Sequence, residues 1–166
     1  MNRQEAIDRA RDYFLSEDRH YGCAETSLMV LSHAFGLPNA EDSSPALALN
    51  GGVAWSGGIC GAISGAAMAV GRLAATRIDD YEETKRVTRR IIVRHMDDFR
   101  REFGDVNCRS LIGIDISTDE GHAAFIEGKS WHTICMSQLE FTIGQLLELQ
   151  HEQAWNDMLQ QIAGLE

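Results

Sequence analysis

Four cysteines, Cys23, Cys60, Cys108 and Cys135, are the residues of this 166-residue chain with the most chemistry to offer. Cys60 stands inside a glycine run, Gly57-Gly58-Ile59-Cys60-Gly61-Ala62-Ile63-Ser64-Gly65, and the other three lie far from it along the chain. Four thiolates gathered at one point would suit a soft metal or an iron–sulfur cluster. Packed as pairs, the same thiols would cycle between dithiol and disulfide. The intervals of 37, 48 and 27 residues hold no Cys-x-x-Cys knuckle, which argues against a zinc ribbon and against thioredoxin-type exchange. The plain alternative is a non-redox helical binding or structural protein, since a free cysteine often serves as a small buried hydrophobe.

Placement separates these readings. Cys23, Cys60 and Cys108 are each expected at or near the first turn of a helix, where unpaired backbone N–H groups and the helix dipole favour a thiolate. Gly22 before Cys23 and Gly61 after Cys60 are expected to leave room for a sulfide or a metal to approach. His132 lies three residues before Cys135, and His20 three before Cys23, so a supporting ligand or tuning role is open to each. Trp55 and Trp131 flank cysteine-bearing segments and could close the site against water or serve as plain core. There is no Cys-x-x-Cys-His haem attachment motif, no Gly-x-Gly-x-x-Gly after a strand and no Walker loop.

The elements that must position these residues read as helices almost throughout. Asn2 and Glu5 form a capping-box pattern for a first helix reaching about Ser16. A polar bend from Glu17 to Gly22 leads to a second helix over Cys23 to Phe35, closed by Gly36 and Pro38. Ser44 with Pro45 starts a third, which should fail at Gly51-Gly52. A glycine-rich fourth helix is expected from about Gly58 to Arg72, with Gly57, Gly61 and Gly65 on one face. The fifth has acidic residues from Asp79 to Glu83 in its first turns, Arg100 and Arg101 in its last, and Gly104 as its stop. Its apolar stripe is Val87, Ile91, His95, Phe99 and Phe103. Asp105 or Asn107 would cap a short helix carrying Cys108, and Thr118 a brief turn. A long helix is expected from Ser130 to about Ile162, bent at Gly144. The fold class is therefore all-α: one domain over residues 1–166, a bundle of six to seven helices around a glycine-rich central one.

Composition narrows the partners. With 15 basic and 25 acidic residues the net charge is −10, which opposes binding to phosphate backbones, so no nucleic-acid partner is expected. The charge-free stretch from Ser43 to Gly71 is long enough to cross a bilayer, but seven glycines and Pro45 break it up, so no membrane span is expected. The start of the chain is polar, which reads as a cytoplasmic address. Past Lys129 the chain has no basic residue and five acidic ones, leaving the last helix dipole uncompensated. Together with the glycine-rich helix faces, this is compatible with a homodimer.

The ordered set of Gly22-Cys23-Ala24, Cys60-Gly61-Ala62-x-x-Gly65, the Phe99-x-x-x-Phe103-Gly104 run leading into Cys108, and the late Cys135 resembles the C_GCAxxG_C_C family of redox-active proteins. The resemblance spans roughly Arg19 to Leu147. Members are small helical proteins with four characteristic cysteines, and related segments occur beside haem-binding and iron–sulfur modules. The resemblance implies Cys23, Cys60, Cys108 and Cys135 as the functional set. It also implies a redox or electron-transfer role with a possible iron–sulfur cluster or metal, and a redox protein as partner.

Overall fold

The computed structural model describes residues 1–17 and 20–164; part of the polar bend expected between Glu17 and Gly22 therefore lies outside the described residues. Helix α1 (Arg3–Leu15) opens with the expected capping box. Asn2 Oδ1 accepts the Glu5 N–H at 3.0 Å, and the Glu5 carboxylate accepts the Asn2 N–H at 2.8 Å. The period of Ala6, Ile7, Ala10 and Phe14 gives α1 one buried face.

Helix α2 (Cys23–Ala34) is buried along nearly its whole first two turns and forms the centre of the bundle with α3 (Gly61–Arg77). The sequence allows these two backbones to approach closely because Gly65 has no side chain. A Cβ there would overlap the carbonyl of Ala24. Around this pair pack α1 and α7 (Ile134–Leu146) on α2, and α4 (Tyr81–Phe103) on α3, while α8 (Glu152–Ala163) lies against α4. The stripe of Val87, Ile91, His95 and Phe99 turns α4 inward, and Asp80 and Gly104 cap its two ends. Two shorter helices, α5 (Cys108–Ile112) and α6 (Asp119–Glu127), complete the architecture. No helix of the described residues is long and apolar enough to cross a membrane, and no strand forms among them beyond an isolated antiparallel bridge between Ile59 and Asn107.

Several boundaries differ from expectation for identifiable reasons. The third expected helix is a six-residue 3₁₀ turn, Ser44–Leu49, followed by an unusual left-handed stretch. Gly51, Gly52, Val53, Ala54 and Trp55 all have positive φ, between 49° and 75°. The glycine-rich helix starts at Gly61 rather than Gly58, because the preceding backbone is used crosswise. The Cys60 N–H donates to Val106 O at 2.8 Å and the Cys108 N–H to Gly58 O at 2.7 Å. It runs on to Arg77, since nothing at Gly71 interrupts it. Helix α6 is nine residues long where a brief turn was expected.

The long helix expected from Ser130 to Ile162 is divided. A 3₁₀ turn at Ser130–His132 precedes α7, and another at Leu147–Gln150 separates α7 from α8. The bend is therefore after Leu146 and not at Gly144, which sits within α7 under the guanidinium of Arg3. The second break is satisfied from outside: Arg77 donates to Leu149 O and Gln150 O, each at 3.0 Å, and its guanidinium lies 5.0 Å from the Trp155 ring. A cation from α3 thus serves the carbonyls that end this part of the chain, where the sequence offers no basic residue of its own.

A candidate four-cysteine site

Each of the four cysteines stands at the start of a helix. Cys23 is the first residue of α2, Cys60 caps α3, Cys108 is the first residue of α5 and Cys135 the second residue of α7. The first three placements are those expected from the sequence. The fourth is not, because the break around Thr133 cannot be read from a helical pattern that continues through it.

The four helix starts converge. Cys23, Cys108 and Cys135 line one cavity of about 370 Å³, and Cys60 is buried beside them. A charge on Cys23 would raise the pKa of each of the other three thiols; charges on Cys60 and Cys108 would raise that of Cys135, and a charge on Cys108 that of Cys60. The four sulfurs are thus mutual electrostatic neighbours although 112 residues separate the first from the last. All four are free thiols.

Apart from Glu25 and Asn50, the rest of the cavity is mainly apolar and aromatic. Phe14, Trp55, Phe125 and Trp131 contribute walls, with His20 and His122 beside the indoles. The His20 ring centroid is 4.4 Å from that of Trp131, and His122 is 4.7 Å from Trp55. Both tryptophans therefore belong to the site's enclosure. His20 reaches the cavity too, its pKa lowered by burial and by the neighbouring His132. His132 instead packs on the Trp131 ring at 3.9 Å and lies outside the cavity lining.

Burial decides the charge state of the thiols. It pushes Cys108 up to about 12 and raises Cys60 and Cys135 further, with mutual repulsion adding to each. At Cys23 burial also raises the pKa, against the pull of backbone N–H groups of Gly51, Ala24, Cys23 and Gly61. The helix starts do lend amides to the sulfurs, as the sequence implies, but desolvation outweighs them, and the expected resting thiolates are thiols.

The glycines flanking the cysteines have a different use from the one expected. Gly22 and Gly61 do not leave vacant room. The carboxamide of Asn50 fills the space beside Gly22, and the Cys23 sulfur itself fills that beside Gly61. Two polar partners of the thiols carry no motif signal. Gln138 Oε1, on a buried side chain of α7, lies 3.4 Å from Cys60 Sγ, and Asn50 Oδ1 lies 3.9 Å from Cys23 Sγ. Only their i+3 placement after Cys135 and their position before Gly51-Gly52, respectively, mark them in the sequence.

Among the described residues, no group of three or more His, Cys, Asp or Glu side chains is arranged to hold a metal ion. What the cysteines provide is three soft sulfurs lining a space larger than a single ion, with Cys60 buried beside it and helix-start amides that favour negative charge.

These features define an all-α protein with three cysteines lining one cavity and a fourth, Cys60, buried beside it. The chain belongs to the C_GCAxxG_C_C family: the family model described as "Putative redox-active protein (C_GCAxxG_C_C)" matches residues 21–149, a span that contains all four cysteines, Asn50 and Gln138. No curated protein and no solved structure matches the chain.

Proposed function

We propose that this chain is an electron-transfer protein in which Cys23, Cys60, Cys108 and Cys135 together hold an iron–sulfur cluster. The observation that carries the reading is the arrival of four thiols, three buried and Cys23 half-buried, each at a helix start, at or beside one cavity. Packing alone gives no reason for four small apolar side chains to occupy four helix starts. A bound cluster would supply one-electron chemistry and deprotonate the thiols that ligate it. The chain's own contribution is to keep water from the sulfurs with Phe14, Trp55, Phe125 and Trp131 and to offset negative charge with backbone N–H groups.

Dithiol–disulfide exchange is a weaker reading of the same sulfurs. Exchange needs a thiolate, and burial raises all four thiols, which disfavours that form in the metal-free chain. A single bound ion also has less support, because no three ligands converge on one point among the described residues. A reducing, cytoplasmic setting agrees with four unbridged thiols. A redox partner would approach over the exposed apolar rim of Val53, Trp55 and Ile126. A second copy of the chain would need a surface other than the α3 glycine face, since α2 already occupies it.

The test is reconstitution with iron and sulfide without oxygen. The expected result is charge-transfer absorbance with bound iron and sulfide, abolished by Cys60→Ser and by Cys135→Ser. Colourless, iron-free protein, with the four thiols intact by titration, would count against the cluster.

A further inference from the structure

We propose that Asn50 is the residue that positions Cys23, and that Glu25 fixes Asn50 in that role. The inference concerns the thiol itself; only its importance for loading the site rests on the cluster reading above.

The Asn50 carboxamide has a defined orientation. Its Nδ2 donates to the Glu25 carboxylate at 2.9 Å and to Leu47 O at 3.2 Å, while its Oδ1 accepts the Ala24 N–H at 2.9 Å. Turned over, the amide would set its N–H groups against the Ala24 N–H and its oxygen against a carboxylate, losing all three bonds. The oxygen is therefore committed to the first turn of α2, where it lies 3.9 Å from Cys23 Sγ and takes the thiol as a donor.

Glu25 is what enforces this. It is buried, at 7% exposure, and accepts three hydrogen bonds: from Gly22 N–H at 2.8 Å, from Ser43 Oγ–H at 2.9 Å and from Asn50. The first bond is the ordinary capping-box contact of a helix start and would form on an exposed helix as well. The other two have no capping purpose. They tie the segment leading to the 3₁₀ turn at Ser44–Leu49, and the residue that follows that turn, to the cysteine-bearing end of α2.

Gly22 supplies a separate observation. A Cβ at that position would overlap three atoms of the Asn50 carboxamide, so the glycine before the cysteine is the condition for Asn50 to reach Cys23. The Gly-Cys-Ala segment thereby acquires a partner 26 residues beyond its alanine, and the two meet only in the folded chain.

The experiment measures alkylation of the metal-free, reduced full-length chain by iodoacetamide, each cysteine being followed separately by mass spectrometry. With its acceptor removed, the Cys23 sulfur is free to swing into the cavity. Asn50→Ala and Glu25→Ala should each raise the Cys23 rate about fivefold relative to Cys108 in the same molecules, the scale of one net hydrogen bond. Glu25→Gln should restore the wild-type ratio, because its carbonyl still accepts from Gly22 and Asn50 and its amide donates to Ser43. Gly22→Ala, which displaces Asn50 while leaving both side chains in the sequence, should behave like Asn50→Ala. An unchanged Cys23 ratio in these variants overturns the proposal. So does a rise at all four cysteines alike, whether from loosening or from unfolding, and so does a Glu25→Gln protein as reactive as Glu25→Ala. Iron content after reconstitution of the wild type is read separately; if it is nil while these ratios hold, the cluster reading fails and the positioning role stands.

Discussion

The sulfur of Cys23 occupies the space in which a side chain at Gly61 would begin, so the first residue of α2 and the first residue of α3 fit together as thiol and absent Cβ. A Cβ at residue 61 would also come within 3.0 Å of Ala24 N and 3.3 Å of Ala24 Cβ. Gly61→Ala should therefore cost about 1–3 kcal/mol of stability, the usual range for overpacking, and should prevent iron uptake. Gly65→Ala meets the rigid carbonyl of Ala24 instead of a side chain and should cost more. Urea unfolding of the two variants checks the order; equal stabilities close to wild type would show that α2 and α3 separate freely.

The raised thiol pKa values give a kinetic prediction for the metal-free protein. With Cys108 at about 12, its alkylation rate should rise about tenfold per pH unit from pH 7 to 9.5 without levelling off. A plateau below pH 9 would mean that the helix-start amides outweigh desolvation after all.

Val53 is a β-branched residue held at φ 69° and is 48% exposed, so its side chain gives little back for its conformation. A left-handed conformation costs a residue with a side chain about 1–2 kcal/mol. Val53→Gly should accordingly raise the thermal midpoint, and a fall in the midpoint would show that the valine side chain earns its place by packing.

His95 gives the stability a defined pH dependence. It is 1% exposed, and burial lowers its pKa, while a hydrogen bond to Gln145 opposes the shift only in part. Above the unfolded-state value of about 6.5 the ring is neutral in both states. Below it the unfolded chain takes up a proton that the folded chain resists, so stability falls as the pH drops from about 6.5 toward the lower folded pKa. His20, also lowered, adds to the same slope. Urea midpoints at pH 7.5 and 5.5 should differ in this sense for the wild type and differ less for His95→Met.

Arg77 holds the junction between α7 and α8. Replacing it by alanine leaves the carbonyls of Leu149 and Gln150 without their cation and removes the contact with Trp155. The expected loss is about 2 kcal/mol, the scale of hydrogen bonds to a charged donor, read as a lower urea midpoint; an unchanged midpoint would mean that solvent serves these carbonyls equally well.

The helices that carry their own punctuation were legible in the sequence. Asn2 with Glu5, Asp80 with Gly104, and Pro45 before Gly51-Gly52 mark boundaries through local chemistry, and the structure places boundaries at or beside them. α3 starts three residues beyond the expected Gly58, because the bridge between Ile59 and Asn107 is a long-range pairing with no local mark. The division between α7 and α8 was hidden for a similar reason, since its carbonyls are satisfied by Arg77 from a different helix. At the site, flanking glycines and expected helix starts single out Cys23 and Cys60, an expected helix start singles out Cys108, and only the family resemblance adds Cys135. Their ionisation was not legible, because burial is a property of the assembled fold. Asn50 and Glu25 were equally silent, being an ordinary asparagine and a capping glutamate until the chain brings them together.

Cys23, Cys108 and Cys135 line the cavity from α2, α5 and α7, with Cys60 beside it at the start of α3, so the four sulfurs come together only when the chain through Cys135 has folded. Any group gripped by all four would find no half-built version of its site to occupy. Its binding energy would then appear in full as resistance to unfolding, and losing it would loosen four helix ends together. A cell that clears loosened chains would read the loss of any such group as damage to the whole molecule.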